Sequence, residues 1–259
     1  MSRLLRLATH LRAAAVLRGP NLRGWPLIPK RFWPEAPHNR TLFNQFVIWI
    51  DRLRLERVRS VVDVGANHGD FAQAASALFP ETDVLLVEPL PILHAELERR
   101  AARRASHWKL AKYALSRERG TAALHIDEKL DDIASLVGFS DQYLRSNPNA
   151  RSEKTLSCEV CTLDDLCAER GIREIDLLKI DVEGFEFEVL EGARAMLSAT
   201  RALVVEVSLI RRSGDADAIE RILKLFRTFG FQLVDLLPSI FSNEAPWCPV
   251  EFNVLARRG

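Results

Sequence analysis

Two short segments hold most of the residues able to do chemistry. The first, Val61-Val62-Asp63-Val64-Gly65-Ala66-Asn67-His68-Gly69-Asp70-Phe71, carries an apolar run into a glycine-bearing turn and on into a helical pattern. In an open α/β sheet ligands bind beyond the carboxyl ends of the strands at such a turn, and Gly65 and Gly69 would let one approach the backbone. The spacing breaks the dinucleotide fingerprint G-x-G-x-x-G at Asn67 and Asp70, so pyrophosphate binding loses ground. Asp63 would repel a phosphate and suit a cationic ligand such as a sulfonium. Glu88, followed by Pro89, ends a second apolar run, where its carboxylate can accept hydrogen bonds from two ribose hydroxyls. Asp63 and Glu88, with Gly65 and Gly69, together outline a nucleoside-shaped site.

The second segment runs from Leu178-Lys179-Ile180-Asp181-Val182-Glu183-Gly184 into a helical pattern. Asp181 and Glu183 should emerge at the same sheet edge as the first turn, and Glu206, inside the apolar run Val204-Val205-Glu206-Val207, is a third acid at that end. An acid in such a run costs energy unless paired or used. An alcohol that attacks an electrophile must lose a proton, which Asp181 or Glu183 could accept directly or through water. Two other roles stay open for these acids. They could complement the dipole of the following helix, or, with Glu206, hold a divalent cation such as Mg²⁺. No further ligand signal accompanies them, so no metal is expected. Glu186, Glu188 and Glu191 read as the solvated face of the helix.

These groups need a sheet to position them. Short apolar runs alternate with helical patterns from Ser60 onward, the signature of parallel βαβ units. The expected strands are 61–64, 84–87, 109–114, 175–180, 202–207, 231–236 and 252–256. One helix after Gly184 should bury Phe185, Val189, Ala193 and Met196, and another from about Ala216 should bury Ile219, Ile222, Leu223 and Phe226. Two runs with alternating polarity, 122–126 and 156–161, suggest an antiparallel pair. The polar connection from Asp127 to Ala150 is long enough to be a lid or substrate loop. Ahead of the sheet, a capping helix over 41–57 has Thr41 as N-cap and an apolar face of Leu42, Phe46, Trp49 or Ile50, and Leu53.

The 259 residues, 47% hydrophobic and 27% charged, exclude wholesale disorder, collagen and coiled coil. Residues 1–40 hold seven arginines and one lysine against Glu35, a net of +7, which leaves −6 on the remainder. The body therefore has no general attraction to nucleic acid. Leu4, Leu7, Leu11 and Ala15 recur at helical spacing, followed by prolines at 20, 26, 29, 34 and 37. A frayed or packed basic extension over 1–40 is the simpler reading, and weak contact of residues 1–18 with an anionic membrane surface is the alternative. The four cysteines are too few for a disulfide framework, and Cys158 and Cys161 should face opposite sides of one strand, which argues against zinc. With no signal-peptide core or spanning run, a cytoplasmic location is expected. The Glu98-Arg104 run reads as a solvated helix end, and His68 stands out only by lying in the first turn.

DVGANHGDF from Asp63, Glu88-Pro89, KIDVEGFEFEVLEG from Lys179, VVEVS from Val204 and FNVLARR from Phe252 resemble, in order, the FkbM family of methyltransferases. The resemblance covers residues 58–257. It implies one α/β domain over 41–259 with a Rossmann-like methyltransferase fold: a mostly parallel seven-stranded sheet, helices on both faces and an antiparallel last strand. It also implies S-adenosylmethionine as cofactor, with Asp63, Gly65, Asn67, Gly69 and Glu88 as its contacts. Asp181 and Glu183 become catalytic or acceptor-site acids, and the acceptor a hydroxyl on a sugar, glycan or natural product. Two other readings compete. A nicotinamide-dependent oxidoreductase would share the fold but is opposed by the glycine spacing and Asp63, and a noncatalytic binding module is opposed by the retained acids at 63, 88, 181 and 183.

Overall fold

A computed structural model of the chain describes residues 37–103, 107–127, 134–138, 153–209, 218–241 and 249–259. The basic helix and proline-containing stretch expected over residues 1–36, and most of the 127–150 connection, lie outside the described residues. The chain opens with α1 (Arg40–Arg52), β1 (Ser60–Val64), α2 (Asp70–Leu78), β2 (Asp83–Val87), α3 (Pro91–Ala102) and β3 (Trp108–Ala111). There follow β4 (Ala114–Leu115), β5 (Gly120–Asp127), β6 (Ala134–Ser135), β7 (Glu153–Cys161), α4 (Leu163–Arg170) and β8 (Ile175–Ile180). It ends with α5 (Glu186–Glu191), α6 (Arg194–Ser198), β9 (Thr200–Ser208), α7 (Ala218–Thr228), β10 (Phe231–Phe241) and β11 (Pro249–Arg258).

Seven strands form the main sheet in the order β10-β11-β9-β8-β1-β2-β3. Neighbours are parallel except at β11, which runs antiparallel between β9 and β10. Both faces are covered, which is why the central strands read as mostly apolar runs. Successive side chains alternate between two cores. Val61, Leu86, Leu177 and Val204 pack with residues of α1 to α3, whereas Val62, Leu85, Leu178 and Val205 pack with residues of α4 to α7. The strand order turns back at β1, with β2 and β3 on one side and β8 and β9 on the other. That reversal opens a crevice at the carboxyl ends of β1 and β8, where ligands bind in such sheets.

A second sheet, β4-β7-β5-β6, overlies the crevice, and β5 pairs antiparallel with β7 from Gly120–Val160 to Asp127–Glu153. The single strand expected over 109–114 is divided. β3 ends at Ala111, Lys112 and Tyr113 redirect the chain, and Ala114 begins β4, which pairs with β7 instead.

The first helix also differs from expectation. Asn39, not Thr41, is its N-cap, with a side chain that accepts from the N–H groups of Thr41 and Leu42. The buried face accordingly includes Phe43, Phe46, Val47 and Ile50, while Leu42 is 42% exposed. The helix stops at Arg52 rather than near Arg57, because Arg54 turns left-handed at φ 53°. Arg257 donates to the carbonyl oxygens of Leu53 and Arg54 at 3.1 and 3.5 Å, satisfying acceptors that the helix end leaves open. The single helix expected after Gly184 is likewise two short ones. A Cβ on Gly192 would lie 2.0 Å from the Ser116 carbonyl oxygen, so the chain bends there against the loop after β4. Among the described residues no helix is long and apolar enough to cross a membrane.

Asp70 fastens the entry segment to the sheet. Its two carboxylate oxygens accept from the His38 and Asn39 N–H groups at 2.8 and 2.7 Å, and Arg100 lies 3.7 Å away. Arg100, expected on a solvated helix end, is 7% exposed and also binds Glu96 and Gln73. Replacing Asp70 with Ala leaves two donors and a buried guanidinium short of an acceptor. The expected loss is about 1.5–3 kcal/mol in urea unfolding, and an unchanged midpoint would show that the entry segment is not fastened there.

Candidate functional site

A cavity of about 660 Å³, counting its open mouth, lies at the carboxyl ends of β1, β2 and β8. Val64, Gly65 and Asn67 line it from the first turn, Glu88 and Pro89 from the end of β2, and Asp181, Val182, Glu183 and Phe185 from the end of β8. The second sheet supplies the opposite wall through Tyr113, Ala114, Leu115, Leu124, Ala134, Ser135 and Leu136. Its size and mostly apolar lining with a few convergent carboxylates suit a small molecule.

Backbone contacts shape the first turn. The N–H groups of Gly65 and Ala66 both donate to the Val87 carbonyl at 3.0 and 3.1 Å, and Asp181 N–H donates to the Val64 carbonyl at 3.1 Å. Gly65 has φ +72°, and a Cβ there would lie 1.8 Å from the Asp181 carbonyl oxygen. Glycine is thus required by the neighbouring strand end, and Gly65 also lines the cavity. Gly69, the left-handed N-cap of α2, is also closely packed, since an added Cβ would meet Leu97 at 3.2 Å. Asn67 completes the turn in a left-handed conformation at φ 48°, with its side-chain oxygen 2.6 Å from the His68 N–H. His68 points away toward α3, where its Nδ1 lies 2.8 Å from Glu96 and its ring stacks on His38 at 3.4 Å.

The sequence-derived site residues divide into two groups. Gly65, Asn67, Glu88, Asp181 and Glu183 line one cavity, whereas Asp63, Gly69 and Glu206 do not. Glu88 accepts from Leu90 and Asn67 N–H groups at 2.9 and 2.8 Å. Burial nevertheless raises its pKa, against the pull of those two bonds. Asp63 is fully buried beneath the turn, where Oδ2 accepts from Ala72 N–H at 3.2 Å. Its Oδ1 lies 3.4 Å from the ammonium of Lys179, a residue whose part in the site went unread in the sequence. Burial pushes Asp63 up to about 6 despite that ammonium. The nearby charge of Asp63 is therefore balanced inside the protein.

At the end of β8 three carboxylates converge, those of Asp181, Glu183 and Glu206 each offering an oxygen within 4.8 Å of the others. Glu183 adopts a left-handed backbone at φ 59°, an unfavourable conformation for a residue with a Cβ. Its surroundings hold it there. The Ser135 hydroxyl donates to its carbonyl at 2.9 Å, tying the second sheet to this loop. Glu186 accepts from the N–H groups of Val182 and Gly184, both at 3.0 Å, on either side of Glu183. Glu186 was expected on the solvated face, yet it is 4% exposed. An acid in the first turn of a helix can fold back onto orphan N–H groups, and here the loop before the helix supplies them.

Burial outweighs those backbone bonds and pushes Glu186 up to about 7 from 4.5. A raised carboxyl holds its proton in the folded state after the unfolded chain has released it. Its stabilising contribution is therefore complete below 4.5 and is lost as pH rises through about 7. Glu186→Gln keeps an acceptor for Val182 and Gly184 without the ionisation. The variant should gain melting temperature relative to wild type between about pH 5 and about pH 8, and a difference independent of pH would contradict the raised carboxyl.

The chain is similar to several known proteins. The 2-O-methyltransferase NoeI of Sinorhizobium fredii is 29% identical over 184 residues, covering 69% of this chain and 71% of that protein. The 31-O-demethyl-FK506 methyltransferase FkbM of Streptomyces tacrolimicus is 32% identical over 206 residues, covering 71% and 76%. A solved S-adenosylmethionine-dependent methyltransferase of Clostridium acetobutylicum is similar in shape at TM-score 0.47 and 9% identity, covering 85% of this chain and 92% of that one. The methyltransferase FkbM domain matches residues 63–233, from within β1 into β10. The chain belongs to the FkbM family of methyltransferases, with a Rossmann-like fold and S-adenosylmethionine as its cofactor.

Proposed function

We propose that this chain O-methylates a hydroxyl group of a sugar, glycan or natural-product acceptor, using the acids at the end of β8 to take the hydroxyl proton. The observation that carries the reading is that Asp181 and Glu183 line the same cavity as Gly65, Asn67 and Glu88. The two curated relatives described above bear names that put the methyl group on oxygen in those proteins.

S-adenosylmethionine supplies an electrophilic methyl carbon bound to a sulfonium. The residues present suit such a group: Glu88 has lone pairs beyond its two backbone bonds for ribose hydroxyls, and Leu115, Leu124 and Phe185 offer apolar surface for a base. The remaining task of the protein is alignment. The acceptor oxygen must sit about 3 Å from the methyl carbon with water excluded, and the second sheet supplies the covering wall. Asp181 or Glu183 then accepts the hydroxyl proton, with Glu206 as the third acid of the cluster. That cluster also has the oxygen donors that a hard divalent cation prefers, so its members could act through a cation as well as directly.

Asp181→Asn and Glu183→Gln retain size and most hydrogen bonding while removing basicity. Loss of the base should lower turnover by about 10² to 10⁴ with little change in affinity for S-adenosylhomocysteine. A cation-dependent route would show itself as EDTA sensitivity in wild type that disappears in the residual activity of the variants. Turnover near wild type in both variants would remove the acids from the reaction. Separately, Glu88→Ala should weaken S-adenosylhomocysteine binding by about 1–3 kcal/mol in calorimetry; unchanged affinity would place the nucleoside elsewhere.

A further inference from the structure

Lys179 sits at the junction of everything described above, yet it does not line the cavity. It is 5% exposed on β8, directly across the parallel ladder from Asp63 on β1. Its ammonium donates to the Gly65 carbonyl at 2.6 Å and lies 3.4 Å from Asp63 Oδ1 and 3.3 Å from Asp181 Oδ2. A buried ammonium is expensive unless its protons find acceptors. Here one hydrogen bond and two ion pairs reach three distinct parts of the site: the cofactor turn, the strand acid and the cavity acid. Burial opposes the charge, but Asp181 and then Asp63 outweigh it and hold the ammonium above its ordinary pKa.

We infer that Lys179 is a positioning residue that joins the cofactor turn to Asp63 and to the cavity acid Asp181, so that one buried side chain governs both cofactor affinity and turnover. The inference rests on the O-methylation reading for the role of Asp181. It follows from the geometry in two steps. The bond to Gly65 fixes the carbonyl of a turn that otherwise depends on backbone contacts to Val87 and Asp181. The contact with Asp181 holds that carboxylate in place at the cavity wall.

Lys179→Met alone would strand the buried Asp63 carboxylate, so the informative protein is the double variant Asp63→Asn/Lys179→Met, compared with Asp63→Asn. The pair removes both charges and preserves volume. Three measurements would be made on the full chain: melting temperature, S-adenosylhomocysteine affinity by calorimetry, and kcat and KM for the acceptor determined separately. Loss of the tie to the turn should weaken S-adenosylhomocysteine about tenfold. Loss of the contact that places Asp181 should lower kcat several-fold with KM for the acceptor little changed. A folded double variant with the affinity and kcat of Asp63→Asn would overturn the inference. So would a shift in only one of the two quantities, since the proposal assigns both to one side chain. Failure of the base reading is distinguishable, because it appears as retained turnover in Asp181→Asn while the affinity loss in the double variant persists.

Discussion

The carbonyl oxygen of Asp181 occupies the space that a side chain on residue 65 would need, 1.8 Å from where its Cβ would stand. This backbone approach between the turn after β1 and the end of β8 is the constraint on which the site depends. It brings two adjacent strand ends together where the sheet order reverses, and it leaves room beside them for a cavity. From the same contact follow the left-handed turn, the placement of Asp181 at the cavity wall and the burial of Lys179 beneath it. The second sheet is tied to this floor by the hydrogen bond that the Ser135 hydroxyl donates to the carbonyl of the strained residue Glu183.

Much of this was legible in the sequence because the main sheet is covered on both faces. Continuous apolar runs such as Val61-Val62 and Leu85-Leu86-Val87 announce central parallel strands, and acids at their carboxyl ends announce a site. The antiparallel pair β5 and β7 was visible from alternation. Boundaries set by distant contacts were not. The end of α1 depends on Arg257, more than 200 residues away, and the break between α5 and α6 depends on the Ser116 carbonyl. Spacing alone also did not show that Gly65 faces a neighbouring strand end and Gly69 a helix.

The charged residues that went unread share one cause. Arg100 stands in a charged run and Glu186 is one of several acids spaced along one helical segment, and only tertiary packing singles them out for burial. Lys179 did leave a signal. Val61-Val62-Asp63-Val64 and Leu177-Leu178-Lys179-Ile180 each carry one charge at the third position of an otherwise apolar strand, and neighbouring parallel strands can set such positions side by side. Pairing the two would have required knowing that β8, not β2 alone, adjoins β1.

The central claim is that the crevice between β1, β2 and β8 holds the cofactor with its reacting end toward Asp181 and Glu183. A crystal structure of the chain with S-adenosylhomocysteine tests it most directly. The account predicts ribose hydroxyls within hydrogen-bond distance of the Glu88 carboxylate, the sulfur facing the acids after β8, and the Lys179 ammonium still joined to the Gly65 carbonyl. Nucleoside density away from Glu88, or a sulfur directed away from Asp181 and Glu183, would contradict it.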